Sequence, residues 1–337
     1  MFEKLKNHTN DPIESMFIRL AEDQDPNKID LGIGVFRNET GTVPVMQCVR
    51  KAESNLISKD IPKSYLSPLG NNQYCKDIEK LVFGNDHSFF NQRDIISAQT
   101  PGAGSALRLG ASFVQSISPE SRVWVSEPTW LHQVDFFRHA GLSVSNYRYY
   151  DKSSGNLDIE GMMIDLKEMK ENDILLLHGC CHNPTGQDLD INQWEMVSDL
   201  INKTGALPFV DVAYQGFGSG IDEDVQGLKL LASKIPHLLL AVSSSKSFGI
   251  YRERAGMFSL LLQDKKFNPA QIRAQLRDIA RKLYFMPPDH GAAIVHEILS
   301  NEELKDTWVY ELNSIRNHIS SKRLNLRESI EKINPDF

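Results

Sequence analysis

The sequence has no apolar run long enough to cross a bilayer: stretches such as ILLL and LLLAV fall far short of the roughly 20 residues a spanning helix needs. Its opening stretch, MFEKLKNHTNDPIESM, lacks the apolar centre of a secretory signal. Basic clusters are missing too. With 37 Lys and Arg against 44 Asp and Glu, the net charge is −7 and the basic residues are scattered, which leaves no electrostatic footprint for nucleic acid or a membrane surface. Cysteines number only four. Cys180 and Cys181 are adjacent and poorly placed to pair with each other, and Cys48 and Cys75 stand apart in helical patterns, as expected in a reducing compartment. Repeats, low-complexity tracts and long linkers are absent. These absences lead us to expect a soluble cytoplasmic protein whose partner is a small molecule.

What is present is the composition of a globular protein. At 337 residues, 41% apolar and 24% charged, the chain exceeds what one hydrophobic core usually serves, so a large domain and a smaller one are expected. Short apolar runs read as strands at Asp94 to Ala98, Arg122 to Ser126, Ser143 to Tyr149, Ile174 to His178, Leu207 to Asp211 and Leu238 to Ser243. Amphipathic patterns lie between them, near Ala103 to Gln115 and Val134 to His139, then along the face Trp194, Val197, Leu200 and Ile201 that Gly205 can cap, and at Leu228 to Ile235 before Pro236. A long helical pattern runs from Leu304 to about Ile333. Continuous apolar strands alternating with helices predict an α/β fold, a mainly parallel sheet with helices on both faces. In such sheets ligands bind beyond the carboxyl ends of the strands.

The polar residues that follow these strands therefore face one crevice. After the fourth strand comes HGCCHNPTG with Asn183; after the fifth, DVAYQGF with Asp211 and Tyr214; after the sixth, SSSKSFGIYRERAG with Lys246 and Arg254. A lysine becomes a nucleophile toward carbonyls when desolvation or a nearby cation lowers its pKa, and Lys246 has that opportunity. Pyridoxal chemistry also asks for a carboxylate opposite the ring nitrogen, which Asp211 can supply, and for a phosphate cradle. Ser243, Ser245 and Arg254 offer one, the arginine with a planar fork. The segment TPGAGSALRLG offers a second: Gly102, Ala103 and Gly104 open a helix whose first N–H groups can meet an anion. Each residue alone has a plainer reading, Lys246 as a solvated lysine, Asp211 as a turn or cap residue, Asn183 as an Asn-Pro turn, Arg254 as a surface ion pair with Glu253. Jointly those readings fail. His178, Cys180, Cys181 and His182 suggest zinc, but structural sites space their ligand pairs and add a distant second pair, so no metal is expected. Gly32 and Gly34 lack the third glycine and the strand-turn-helix context of a dinucleotide site.

HNPTG, D-x-A-Y-Q-G-F and S-x-S-K-S-F-G-x-Y-x-E-R, in this order, resemble the aspartate and aromatic aminotransferase family, class I pyridoxal phosphate-dependent enzymes of fold type I. The likeness extends from LGIGVFRNETG at Leu31 through PPDHGAAIV ending at Val295. It implies pyridoxal 5′-phosphate as cofactor, Lys246 as Schiff-base lysine and proton shuttle, Asp211 at the pyridinium nitrogen and Tyr214 at the phenolic oxygen. Asn183 would bond the cofactor oxygen and the substrate carboxylate, Trp130 would stack on the ring, and Ser243 and Arg254 would bind phosphate. Gly34 would lie at the substrate. Tyr65, in KSYLSPLG, resembles the tyrosine that reaches the phosphate of the neighbouring subunit, implying a homodimer with shared active sites. Arg281, in ARKLYFMPP, matches the arginine that reaches across to a distal substrate carboxylate. The implied domains are residues 1–45 as an arm and part of the small domain, 46–300 as the large cofactor-binding domain and 301–337 as the start of the small α/β domain.

Three departures accompany the likeness. Gly104 stands where the family usually has a threonine for the phosphate, with Ser105 beside it. Gln133 replaces the histidine that backs the aspartate in many members, with His178 and His182 still matching. No residue matches the arginine that clamps the substrate's α-carboxylate, so either the sequence is incomplete at its end or full transaminase activity is lacking. The implied reaction is reversible amino transfer between aspartate or an aromatic amino acid, with glutamate as counterpart, and a 2-oxo acid such as 2-oxoglutarate. The alternatives are a decarboxylase or lyase on the same cofactor, or a binding module without turnover.

Overall fold

Eight-residue or shorter apolar runs can be buried on both sides only if helices cover both faces of the sheet they form. The computed structural model, which describes residue 2 and residues 12–30, 32, 34–263 and 266–334, contains that arrangement. Its strands are β1 (Asp94–Pro101), β2 (Arg122–Glu127), β3 (Ser143–Arg148), β4 (Tyr150–Asp151), β5 (Asn156–Leu157), β6 (Ile174–His178), β7 (Leu207–Val212), β8 (His237–Ser243) and β9 (Ala255–Leu262). Seven of them form one sheet in the order β1-β9-β8-β7-β6-β2-β3, and β4 with β5 makes a separate two-stranded hairpin. All neighbours from β8 to β3 are parallel, whereas β9 runs antiparallel to both β8 and β1.

Strand period sorts the core into two layers. Leu175, Leu177, Val210, Val212, Leu238 and Leu240 point into one cluster, while Ile174, Leu176, Phe209, Leu239 and Ala241 point into the other. The second layer is closed by helices Ala103–Ile117 and Pro269–Tyr284, whose Leu107 and Leu276 join it. Helices Gln47–Ser58, Asn72–Phe83 and Ile191–Thr204 close the first. The helix ends follow local rules: Asn71 caps its helix by accepting from the N–H groups of Gln73 and Tyr74, Asp190 and Gln193 form a reciprocal capping box, and Gly205 ends its helix in the left-handed region.

Within the seven-stranded sheet, β9 is the strand that the six expected ones omit. Its residues are buried throughout, so its sequence, AGMFSLLL, carries no alternation to separate a fully buried strand from a helix segment. It also separates β1 from β8, which a purely parallel reading would place side by side.

Packing divides the chain into two units, Met1–Pro44 and Val45–Phe337. In the first, helix Pro12–Glu22 precedes a loop in which Arg37 pairs with Asp30 at 2.6 Å. In the second, the helix Glu302–Ile333 buries Leu304, Trp308 and Leu312 near its start and exposes Leu324, Leu326 and Ile333 farther on. No helix among the described residues is long and apolar enough to cross a membrane.

Candidate active site

The carboxyl ends of β1, β6, β7 and β8 and the start of β9 share one edge of the sheet. Register places His178 beside Asp211 and Asp211 beside Ala241, with Ser243 beside Gly256 and Pro101 beside Ala255. Residues 176, 178, 209 and 211 alternate with the opposite face, so His178 and Asp211 emerge on the side occupied by helix Ala103–Ile117.

Asp211 is 5% exposed, and burial pushes its carboxyl up to about 6, against the pull of the Gln133 amide and the Lys246 charge. Its Oδ2 accepts a 2.8 Å hydrogen bond from Gln133 Nε2, while its Oδ1, equally buried, has no hydrogen-bond partner among the described residues. A buried carboxylate oxygen left so is costly unless something else donates to it. Lys246 lies in the loop after β8, with its Nζ 5.0 Å from the centre of the Tyr214 ring. Desolvation lowers its pKa, opposed by Asp211 and assisted by Arg254. Tyr214 moves the other way: burial and then the Asp211 charge raise it, while a hydrogen bond with Asn183 lowers it.

Arg254 sits one residue before β9. Its Nη1 donates to Ser245 Oγ at 3.3 Å and to the Tyr251 carbonyl at 3.2 Å, and its Nη2 reaches the Pro101 carbonyl at 3.5 Å. Ser243 Oγ accepts the Ser245 N–H at 3.2 Å. Gly102 makes this convergence possible. At φ +80° it adopts a conformation that disfavours side chains, and a Cβ there would stand 2.2 Å from Arg254 Nη2. The guanidinium is thus held against the N-terminus of helix Ala103–Ile117, whose first-turn N–H groups have no intrahelical acceptor. Positive charge, free N–H groups and two serines make this corner a cradle for a phosphate-sized anion.

The loop from His178 to Asp188 is pinned by its own side chains. Asp188 accepts the N–H groups of Cys181 at 2.7 Å and His182 at 2.8 Å, and Thr185 Oγ1 meets His182 Nδ1 at 2.9 Å. The Asn183 N–H points to His178 Nδ1 at 3.4 Å. Cys180, Cys181 and Asp224 come close together, but the Asp224 carboxylate already accepts four backbone N–H groups, from Gly216, Gly218, Ser219 and Gly220.

Residues 26–337 match the family model for aminotransferase class I and II. The chain belongs to the class I and II aminotransferases. Among relatives of this aminotransferase, the aspartate aminotransferase of Salmonella typhi is 40% identical over 323 residues, 96% of this chain and 81% of that protein. The tyrosine aminotransferase of Klebsiella pneumoniae is 37% identical over 336 residues, 99% of this chain and 84% of that one. The crystal structure of the aromatic-amino-acid aminotransferase from Burkholderia pseudomallei, covalently bound to pyridoxal phosphate, superposes with a TM-score of 0.96 at 34% identity, covering 100% of this chain and 84% of that one.

The aminotransferase chain thus brings Lys246, Asp211, Tyr214, Asn183, Ser243, Ser245, Arg254, Gly102, Ala103 and Gly104 to one edge of the sheet. Trp130 stands on the same side, its ring 5.8 Å from Phe136, and a Cβ on Gly104 would stand 2.9 Å from that same Phe136. Three other residues are placed differently. Tyr65 is 84% exposed and meets Phe285 edge-on at 5.8 Å. Arg281, at the exposed end of helix Pro269–Tyr284, lies over that same Phe285 ring. Gly34 belongs to the first unit, where it is exposed. Two contributors were not among the sequence candidates. Gly256 brings β9 so close to the Gly102 backbone that a Cβ would stand 2.5 Å from its carbonyl carbon; as a glycine within an apolar strand it carries the usual mark of close backbone approach. Asp188 carries no such signal, because its role depends on the loop folding back.

Proposed function

We propose that this chain transfers amino groups reversibly between an amino acid, aspartate or an aromatic one with glutamate as counterpart, and a 2-oxo acid such as 2-oxoglutarate, using pyridoxal 5′-phosphate. The observation that carries this reading is the meeting of Lys246, Asp211 and the Arg254–Gly102 corner at one sheet edge. The residues fit that group on independent grounds. Asp211 Oδ1 is a buried acceptor awaiting a donor, as a protonated ring nitrogen would be, and the corner between Arg254 and the helix N-terminus suits a phosphate.

When bound, pyridoxal phosphate supplies a carbonyl for amine exchange and a ring that takes up the electron pair left at the substrate carbon. Lys246, its charge disfavoured by burial, would hold that carbonyl and, as an uncharged amine, is the group that would take up the proton from the substrate carbon. Asp211 keeps the ring nitrogen protonated. Tyr214 and Asn183 hold the ring oxygen, Asn183 also orients the substrate carboxylate, and Trp130 covers the ring. Ser243, Ser245 and Arg254, with the N–H groups of Gly102, Ala103 and Gly104, hold the phosphate.

A homodimer completes the site in this reading. Tyr65 reaches the phosphate of the neighbouring subunit, Arg281 the distal carboxylate of its substrate, and Gly34 lies at the substrate. The exposed Tyr65, Phe285 and Arg281 support such a surface. Residues 1–45 serve as an arm, 46–300 as the cofactor domain, and 301–337 open a smaller domain. The four free cysteines suit a cytoplasmic location.

The test is an absorbance spectrum of the purified chain with pyridoxal phosphate, followed by addition of aspartate and analysis for oxaloacetate. A cofactor band that shifts with aspartate, and does neither in Lys246→Ala, supports the reading. No band in the unmodified chain overturns it.

A further inference from the structure

Between Asp211 and Asn183 runs an unbroken chain of hydrogen bonds that no step above uses. Asp211 Oδ2 accepts from Gln133 Nε2 at 2.8 Å. Gln133 Oε1 in turn lies 2.6 Å from Thr129 Oγ1 and 3.1 Å from His178 Nε2, and His178 Nδ1 lies 3.4 Å from the Asn183 backbone nitrogen. Gln133 has no solvent exposure.

With Asp211 ionised, above about pH 6, the two ends of this chain have fixed polarity. A carboxylate only accepts, and a backbone N–H only donates. Gln133 must therefore turn its NH2 to Asp211, which leaves its carbonyl facing Thr129 and His178. That carbonyl cannot donate; Thr129 Oγ1, which also lies 3.2 Å from His178 Nε2, gives its single proton to the carbonyl at 2.6 Å and has none left for the imidazole, so His178 must donate as well. His178 consequently carries its proton on Nε2, and its Nδ1 is left with the lone pair that the Asn183 N–H requires. This assignment follows from obligate donors and acceptors and does not depend on which way the amide was drawn.

We propose that Gln133 is a positioning residue that sets the direction of this chain: it turns Asp211 Oδ1 toward the cofactor ring and holds His178 as the neutral Nε2–H tautomer, so that the aspartate and Asn183 are held by one non-titrating link. Gln133 is not a catalytic residue, since it touches neither substrate nor cofactor. An amide in this place has no protonation state to change. His178 faces His182 on its other side, with ring centres 4.2 Å apart; protonating His178 would put a cation beside that imidazole and turn a second donor toward the Asn183 N–H. His182 itself is occupied at both nitrogens, by Ser126 Oγ at 2.9 Å and Thr185 Oγ1 at 2.9 Å. The charged groups that face the link are Asp211 on β7 and, beyond it, Lys246.

The orientation of Oδ1 rests on the cofactor reading given above, whereas the tautomer does not, and the experiment separates them. Histidine-selective 15N labelling of the full chain, with and without pyridoxal phosphate, reads the His178 tautomer directly, its signals being assigned by their loss in His178→Gln. The expected result is an Nε2–H imidazole that stays neutral from about pH 6 to 8, where Asp211 is ionised and a free histidine would titrate. An Nδ1–H tautomer, or titration within that range, overturns the proposal. Gln133→Glu removes the donor to Asp211 and offers His178 a carboxylate, so His178 should titrate within that range and the dissociation constant for pyridoxal phosphate should rise roughly ten- to hundredfold. Gln133→Met keeps the volume and removes the link; it should release the tautomer preference and weaken the cofactor to a similar degree, with circular dichroism reporting whether it folds. If either folded variant keeps wild-type tautomer signals and wild-type cofactor affinity, Gln133 does not position this site. If the unmodified chain shows the expected tautomer and binds no pyridoxal phosphate, the cofactor reading and the orientation of Oδ1 fall, while the tautomer stands.

Discussion

Asp211 holds its two oxygens in different surroundings, one bonded to Gln133 and one buried without a donor, and this asymmetry has a consequence for stability. Its ordinary value of 3.8 is raised to about 6 by burial in the cofactor-free chain. Between about pH 4 and 6 the folded protein keeps a proton that the unfolded chain has released, so this residue's contribution is fully present below that window and is lost as pH rises through it. The difference is on the order of 3 kcal/mol. His182, lowered to about 4 by burial, acts in the opposite sense, because below its ordinary value of 6.5 the unfolded chain takes up the proton first. Urea unfolding of the cofactor-free chain and of Asp211→Asn at several pH values isolates the aspartate, since the stability of the unmodified chain relative to the variant should fall by that amount between about pH 4 and 7. At Lys246, substitution by alanine should abolish covalent attachment of the cofactor, measured as loss of the protein-bound chromophore after gel filtration, with little change in folding.

Elements meet most closely where the helix Ala103–Ile117 begins beside β9. Gly102→Ala would add a Cβ against the Arg254 guanidinium, the far end of a flexible side chain that can move aside. Its strain at φ +80° should lower stability by about 1 kcal/mol, and the displaced guanidinium should weaken cofactor binding more than folding. Gly256→Ala is different. Its Cβ would meet backbone atoms of Gly102 and Ala103 at 2.5–2.8 Å, which cannot retreat without moving strand or helix. A destabilisation of about 3 kcal/mol, read as a lower urea midpoint, is expected for this variant. That β9 was illegible while β6, β7 and β8 were not has a simple cause. The parallel strands are each set off by an amphipathic helix, whereas β9 follows the Lys246 loop directly and returns antiparallel, with nothing in its uniform burial to mark its period.

For the molecule as a whole, the dimer proposal makes a distinct prediction. Light scattering of the full chain should give twice the monomer mass, and Tyr65→Phe should leave that mass unchanged while weakening pyridoxal phosphate by about tenfold, one charge-assisted hydrogen bond lost. A monomeric chain, or a Tyr65→Phe variant that binds the cofactor as tightly as the unmodified chain, would exclude a site shared through Tyr65. Arg281→Ala should raise KM for aspartate more than for an aromatic substrate, because only the former carries the distal carboxylate that a planar guanidinium clamps.

The sequence by itself determined the α/β architecture and the set of residues at the carboxyl edge, because hydrophobic period and strand-end chemistry are local properties written over a few residues. Lys246, Asp211, Tyr214, Asn183 and Arg254 were legible for that reason. Tertiary structure alone decided that β9 lies between β1 and β8, that Gly256 lets two backbones touch, and that Asp188 ties down the Asn183 loop. Each of these joins residues between 6 and 168 positions apart, Asp188 to His182 and Asp94 to Leu262, through contacts fixed by packing and by the obligate polarity of buried hydrogen bonds, neither of which leaves a periodic trace in the chain.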